Sequence, residues 1–383
     1  MRLLLALIFC CSFALISAQT TINFNEDNSN KLYIKLYAHI DYNQPLVSNE
    51  RAVGKLDVHR LVTLFGYQFN RKTQFVSEIE FEHVSELFVE QAFVKHRLTR
   101  SINLKAGLLL VPMGLVNEMH EPTFFYSVER PLLDKIIVPS TWREIGFGIS
   151  GLIQQKSLKY QLYLMNSPIS YSDGSTIQAS TGIRGARQKG AKSIISTYPG
   201  LSGQIEYFGF AGIKLGLSAF IGKTNSSKVN ELKADLSEQA TLTIDSTTVD
   251  FRMLSYHATF DRAGLTARFQ YSLANFGRAD SYNQFNSTDI PTLMHGYYFL
   301  LAYDFLSNKE LTLAPFLRVS QLNNSLKETE DFENHKGFKQ NIYSLGINYK
   351  PNPSVVFKFD YQIIKKDNQQ NFNQLNAGVG VWF

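Results

Sequence analysis

Glu78, Glu80 and Glu82 alternate with Ile79 and Phe81. In an extended chain successive side chains point to opposite faces, so the three carboxylates share one. A row of carboxylates is either a solvated wall or one half of a transverse electric field. The opposite sign is present too: Lys35, Lys105, Lys159, Lys214, Arg268, Arg318 and Lys358 all fall on polar faces of alternating stretches. Nothing beside them has the spacing of a catalytic centre. There is no G-x-S-x-G elbow, no H-E-x-x-H and no glycine-rich phosphate loop. The eight histidines, His39, His120 and His257 among them, stand singly, and a lone histidine on a strand reads as a polar wall or rim group. The chain is therefore not read as an enzyme, and no catalytic residue, metal ligand or cofactor is assigned. A hydrolase hidden in a barrel wall, with Ser and His on neighbouring strands, is the competing reading and has no motif behind it.

The elements that position these residues follow from composition and period. Charged residues are 19% of the 383, below the roughly 25% of soluble domains. Mean hydropathy is nevertheless −0.14, and aromatics reach 13% with 29 Phe and 19 Tyr. That combination excludes disorder and suggests that every second residue is apolar. Arg2, the apolar run Leu3–Ile16 and the small pair Ser17-Ala18 have the form of a secretory leader, giving residues 1–18 as signal peptide and 19–383 as one domain. Cys10 and Cys11 both lie in that leader, so disulfides, thiol catalysis and Cys-bound metals fall away together. Formal charge is +5, and one less without Arg2, too weak a bias to argue for nucleic acid.

Beyond the leader no apolar run approaches the roughly 18 residues of a spanning helix. The period is two instead. Leu32, Ile34, Leu36, Ala38 and Ile40 oppose Lys31, Tyr33, Lys35, Tyr37 and His39. About sixteen such strands are expected: 31–41, 56–69, 73–83, 87–98, 101–110, 143–153, 158–166, 202–208, 212–222, 249–261, 263–274, 295–305, 311–321, 339–349, 354–365 and 372–383. Short links alternate with long polar excursions at 111–142, 167–201, 223–248, 275–294 and 322–338. Such asymmetry predicts an all-β fold, a single transmembrane antiparallel barrel with long extracellular loops. Strands two and four leave their facing open, so neither His59 nor Lys95 is assigned to the lumen.

The last strand runs Leu375, Ala377, Val379, Val381, Phe383 to the final residue. It resembles the C-terminal signature by which outer-membrane barrels are recognised, which makes Phe383 an assembly signal and the barrel assembly machinery a partner, with outer-membrane lipid around the wall. Between Lys105 and Gly151 a strand ends in G-x-x-x-V-P-x-G, followed by E-R-P-L and P-S-T-W-R-E-I-G-F-x-I-S-G. Together with Y-S-L-G-I-N-Y-K-P-N-P-S-V-V-F-K-F-D-Y from Tyr343, this resembles the phosphate-selective O/P-type porin family. The resemblance implies a sixteen-stranded barrel, often a homotrimer, whose third loop folds into the lumen as a constriction. That loop would be Val111–Trp142. Phosphate-selective members carry an arginine ladder with lysines. Here the loop offers only Arg130 and Lys135 against Glu118, Glu121, Glu129 and Asp134, and an anion site needs converging positive charge.

The loop has its own reason to enter the lumen. Pro112, Pro122, Pro131 and Pro139 stiffen it, and an apolar-aromatic loop of this length is costly to leave in water. Phe124, Phe125, Tyr126 and Trp142 then either pack it against the wall or offer a stacking surface to flat solutes. The expected constriction is Glu129, Arg130, Lys135, Arg143 and Glu144, with Arg130, Lys135 and Glu129 across from Lys35, Arg318 and Lys358. The function expected is passive diffusion of small anionic or polar solutes across the outer membrane of a Gram-negative-type envelope. The alternative is a structural or docking barrel within a larger envelope complex, its long loops the surfaces for envelope-protein partners.

Overall fold

Alternation is realised along the wall strands, with a few local slips. In the computed structural model, which describes residues 30–47, 51–195, 199–288, 290–306, 311–324, 338–367 and 370–383, sixteen antiparallel strands close on themselves. The expected leader, 1–18, lies outside the described residues. The first half is β1 (Lys31–Leu46), β2 (Lys55–Gln68), β3 (Thr73–Glu82), β4 (Glu86–Arg97), β5 (Asn103–Leu110), β6 (Arg143–Ile153), β7 (Leu158–Met165) and β9 (Gly200–Tyr207). The second is β10 (Ile213–Lys223), β12 (Asp250–Arg262), β13 (Leu265–Gly277), β14 (Leu293–Tyr303), β15 (Thr312–Asn324), β16 (Phe338–Asn352), β17 (Val355–Lys366) and β18 (Phe372–Trp382). Two short strands, β8 (Ile169–Tyr171) and β11 (Asn225–Ser226), pair parallel outside the wall.

Closure is made by β1 against β18, with Tyr37 opposite Trp382. Phe383 finishes the seam: its N–H donates to the Leu36 carbonyl and its carbonyl accepts from Leu36 N–H. No unpaired sheet edge is left to lipid, which is the condition for strands to span a bilayer. The outer face is apolar, with Leu32 61%, Leu345 66% and Phe357 47% exposed. That belt is stable only against hydrocarbon. Among the described residues no helix is long and apolar enough to cross a membrane; the crossing is made by strands.

The register slips in three places of the wall, one of them at the β16–β17 turn between Tyr349 and Asn352. Between β1 and β2 the register passes from His39–Arg60 to Ile40–Val58, so His59 is an extra residue. Between β3 and β4 it passes from Glu78–Gln91 to Ile79–Val89, making Glu90 extra. These β-bulges are why strands two and four have no clear facing in the sequence.

Inside, the third loop fills the lumen. Gly107, the first residue of the G-x-x-x-V-P-x-G segment, has φ +136°, and an added Cβ would stand 2.3 Å from the Ala92 carbonyl oxygen. Strand β5 bends there before leaving the wall. Gly107→Ala is expected to destabilise the barrel by at least about 1–3 kcal/mol, the cost of a strained side-chain-bearing residue. Urea unfolding in detergent, followed by tryptophan fluorescence, checks this.

Candidate pore constriction

The neck of the loop is closed by its own backbone. Val111 N–H donates to the Trp142 carbonyl at 2.9 Å. Asn117 locks both ends: its Nδ2 donates to the carbonyls of Val111 (2.7 Å) and Trp142 (3.0 Å), and its Oδ1 accepts from Trp142 N–H at 2.8 Å. Trp142 is fully buried, with its ring centroid 5.1 Å from Phe220 and 6.2 Å from Phe251.

From this neck the loop touches nearly every part of the wall. Gly114 N–H donates to Ser218 Oγ, Leu115 N–H to Gln270 Oε1, and Gln204 Nε2 to the Gly114 carbonyl. Across the lumen, Arg268 donates to the Phe124 carbonyl at 2.6 Å and Lys350 to that of Thr123 at 3.1 Å. Lys358 Nζ donates to the carbonyls of Phe125 (2.6 Å) and Ser127 (3.1 Å) and lies 3.7 Å from the Phe125 ring centroid. Arg318 donates to Ser127 Oγ and reaches the Glu129 carbonyl at 3.4 Å. Val128 N–H donates to Asp360 Oδ2 at 2.6 Å.

The four aromatics of the loop are thus occupied by packing. Phe124 and Tyr126 lie under Arg268, Phe125 under Lys358, and Trp142 inside the apolar core. The rings pack the loop in place, as the first of the two sequence readings anticipates, and Phe125 also lines a cavity along β1–β4.

A second loop also enters, which the sequence reading does not anticipate. From residues 166–195, Ile177, Ile183 and Ala186 join Met113, Leu133, Val138 and Trp142 in one apolar core. The wall contributes Met165, Phe220, Phe251, Phe276, Met294 and Leu322 at the long-loop ends of their strands. This core seals one side of the lumen.

The other side, along β1–β4, keeps a cavity of about 120 Å³. Asp41, Glu80 and Glu82 line it from the wall, with His39, His59 and His83. Arg60 bridges Glu80 at 3.1 Å and Glu82 at 3.6 Å. The cavity is also lined by Arg143, Arg184, Arg187 and Lys189. Arg143 and Lys189 flank the Phe88 ring at 5.6 and 5.1 Å. Arg187 donates to the Ser140 carbonyl at 3.0 Å. Burial draws the Arg187 guanidinium down to about 10, helped by Arg184 and Arg143, and Lys189 is lowered by burial, Arg187 and Arg143. Such crowding of like charge stores a positive potential.

The expected constriction residues divide. Glu129, Arg130, Lys135 and Arg143 line the cavity. Lys135 is ion-paired with Glu129; burial alone would raise that carboxyl, but Lys135 and then Arg318 hold it below its ordinary value. Glu144 lies behind the cavity, fully buried, accepting from Trp142 Nε1 at 3.3 Å and Gln188 N–H at 3.1 Å. It is a structural group, because its carboxylate is turned to the loop backbone. Of the wall residues, Glu80 and Glu82 line the cavity and Glu78 lies buried beside them. Lys105 sits over Phe93 and Tyr163, and Lys159 pairs with Glu206 at 3.2 Å. Lys214 is half-buried in the register of inward Ser218 and Phe220. Arg268, Arg318 and Lys358 are engaged by the loop, whereas Lys35 lies over Trp382 at 5.4 Å, away from Arg130 and Lys135. Arg60, Arg184, Arg187 and Lys189 escape the sequence reading. The basic run from Arg184 to Lys192 is the one signal that marks three of them.

No family model matches the chain. An uncharacterized protein of Aquifex aeolicus is 29% identical over 325 residues, covering 80% of this chain and 70% of that protein. Among solved structures, the outer membrane channel DcaP of Acinetobacter baumannii superposes with a TM-score of 0.59 at 10% identity, over 94% of this chain and 99% of the other. An anion-selective porin from Comamonas acidovorans gives 0.58 at 9% identity, over 92% and 100%. At these identities the likeness is one of fold. Together with the apolar belt and the closed seam, that fold is a sixteen-stranded membrane-spanning barrel similar to those of the outer-membrane channels on which it superposes.

Proposed function

We propose that the chain is an outer-membrane channel for passive diffusion of small anionic or polar solutes, by way of the cavity beside β1–β4. One observation carries this: seven cationic side chains line the cavity against four carboxylates. The carboxylates Asp41, Glu80 and Glu82 come from β1 and β3, Arg143 from β6, and Arg184, Arg187 and Lys189 from the loop of residues 166–195. Fixed charges of both signs around a narrow space give a strong local field, and the surplus of positive ones favours anions. Among the described residues, Arg143, Arg187 and Lys189 have no ion-pair partner; Arg143 donates to the Thr141 carbonyl and Arg187 to those of Ser140 and Arg184, which leaves Lys189 the least committed of the three. The O/P-type resemblance supports the same reading and adds a homotrimer, which size analysis in detergent tests.

A second reading, a docking barrel within an envelope complex, is favoured by the apolar core that closes one side of the lumen. Lumens of water-filled barrels are polar. Planar-bilayer recording separates the two: discrete conductance steps support the channel, and a complete lack of them supports the closed barrel.

For the channel, Arg187→Gln with Lys189→Gln is expected to lower anion preference in reversal potentials at low salt. A unit charge about 7 Å from a passing ion in water is worth about 0.6 kcal/mol, so each loss should change the permeability ratio by roughly threefold or less. An unchanged ratio means the pair does not line the conducting path. Trp142→Ala should cost roughly 3–5 kcal/mol of stability and raise single-channel conductance, because the core that seals the other side loses its largest side chain.

A further inference from the structure

We propose that Glu78, Glu90 and His120 bind one divalent transition-metal ion that fastens the third loop to the wall. The inference stands on the fold and is independent of the channel reading. One ligand atom from each residue lies within 4.8 Å of the others, and all three residues are buried. His120 Nε2 is 3.1 Å from Glu90 Oε2 and 3.9 Å from Glu78 Oε1. Metal–ligand bonds of about 2.0–2.2 Å in a tetrahedron give ligand–ligand edges of roughly 3.3–3.6 Å, which these two separations bracket.

Each ligand is oriented from behind. His120 Nδ1 donates to the Asn117 carbonyl oxygen at 3.0 Å, so Nε2 is the nitrogen turned into the cluster; its proton, now shared with Glu90 Oε2 at 3.1 Å, is what a metal ion would replace. Gln91 Nε2 donates to Glu78 Oε2 at 2.6 Å and leaves Oε1 facing His120. The second oxygen of Glu90, Oε1, is buried with no N–H donor, and the Glu80 carboxyl stands within hydrogen-bond reach of Glu90. Fully buried carboxylates crowded in this way are relieved by a shared proton or by a cation.

Charge leads to the same place. Arg60 is taken by Glu80 and Glu82, and Arg130 donates to the His120 carbonyl and Ser140 Oγ. Two buried carboxylates therefore face one imidazole, and a dication balances them. One nitrogen and two oxygens suit Zn²⁺, Mn²⁺ or Fe²⁺ better than the thiolate-seeking metals. Arg60 and Glu80 line the cavity next to the cluster, which gives an ion a way in. Since His120 belongs to the loop and Glu78 and Glu90 to β3 and β4, the bound ion would tie the two together.

The test uses the whole folded barrel in detergent, stripped with EDTA and titrated with ZnCl₂ by calorimetry and with CoCl₂ by visible absorption. One ion per chain and a saturable cobalt band are expected. His120→Ala and Glu90→Gln should each weaken binding by about 100-fold or more, while Asp41→Asn, in the separate group Asp41, Asp57 and His59, should leave it unchanged. Heat-modifiable gel migration verifies that each variant has folded. The proposal is overturned if the unmodified barrel binds less than one ion, a result that needs no variant. It is equally overturned if His120→Ala and Glu90→Gln fold and bind as before, or if Asp41→Asn alone abolishes binding.

Discussion

An irregular backbone inside a barrel must have its N–H and C=O groups satisfied without bulk water or a neighbouring strand. The loop Val111–Trp142 is such a backbone, and the wall is built around that demand. Lys358 serves two of its carbonyls, while Arg318, Arg268 and Lys350 each serve one. Asp360 takes the N–H of Val128, and Gln270 both takes that of Leu115 and donates to Asp134. Burial pushes the Asp134 carboxyl up to about 7, tempered by that bond, so even this acid is held by the wall more as a hydrogen-bond partner than as a charge. Cations spent in this way direct their field into the loop. A positive residue on a polar strand face is therefore no evidence of an ion path by itself; its acceptor decides.

The same loop divides the lumen. Where β7–β15 end in Met165, Phe220, Phe251, Phe276, Met294 and Leu322, the loops bury their own apolar residues and exclude water. Along β1–β4 the core takes in Leu64, Val76 and Phe93, but beside them His39, Asp41, Arg60, Glu80 and Glu82 are charged or imidazole, and the loops cannot pack over that patch without leaving charges unsolvated. The cavity is placed by that mismatch. Its basic side comes from the loop of residues 166–195, whose apolar Ile183 and Ala186 are anchored in the core while Arg184 and Arg187, interleaved with them, line the cavity. Burial of one set of side chains thus positions the other.

The wall was legible from the sequence because a barrel enforces its period at every step: lipid on one side permits only apolar residues, so Leu32 to Ile40 or Val355 to Tyr361 cannot drift. All sixteen strands fall within a few residues of expectation, and the C-terminal alternation marks the closing strand. The loop's entry into the lumen was legible too, from its stiffness, aromatics and family-like segments. Partnership was not. His120 meets Glu90 across 30 residues of chain, and Gly114 meets Gln270 and Ser218 far beyond that. No local spacing encodes contacts made by circling a closed sheet. The interior role of residues 166–195 was hidden for a related reason: a basic run reads as a solvated loop until its flanking apolar residues are seen to be buried.

Strict alternation also limits how much chemistry one strand can aim inward, since every second side chain must serve the lipid. A bulge relaxes that limit by placing two neighbours on the same side. At β2 the extra His59 joins Arg60, and at β4 the extra Glu90 joins Gln91. Both pairs lie where the inward charge is densest: Arg60 holds Glu80 and Glu82, His59 meets Asp41 at 3.4 Å, and Glu90 with Gln91 gathers His120 and Glu78. A single regular strand could present only alternate members of these groups. The breaks that blur the sequence pattern are therefore the same features that let this part of the wall supply a concentrated polar cluster, and a two-residue period that fails for one position on each strand flanking β3 is itself a signal of where to look inside a barrel.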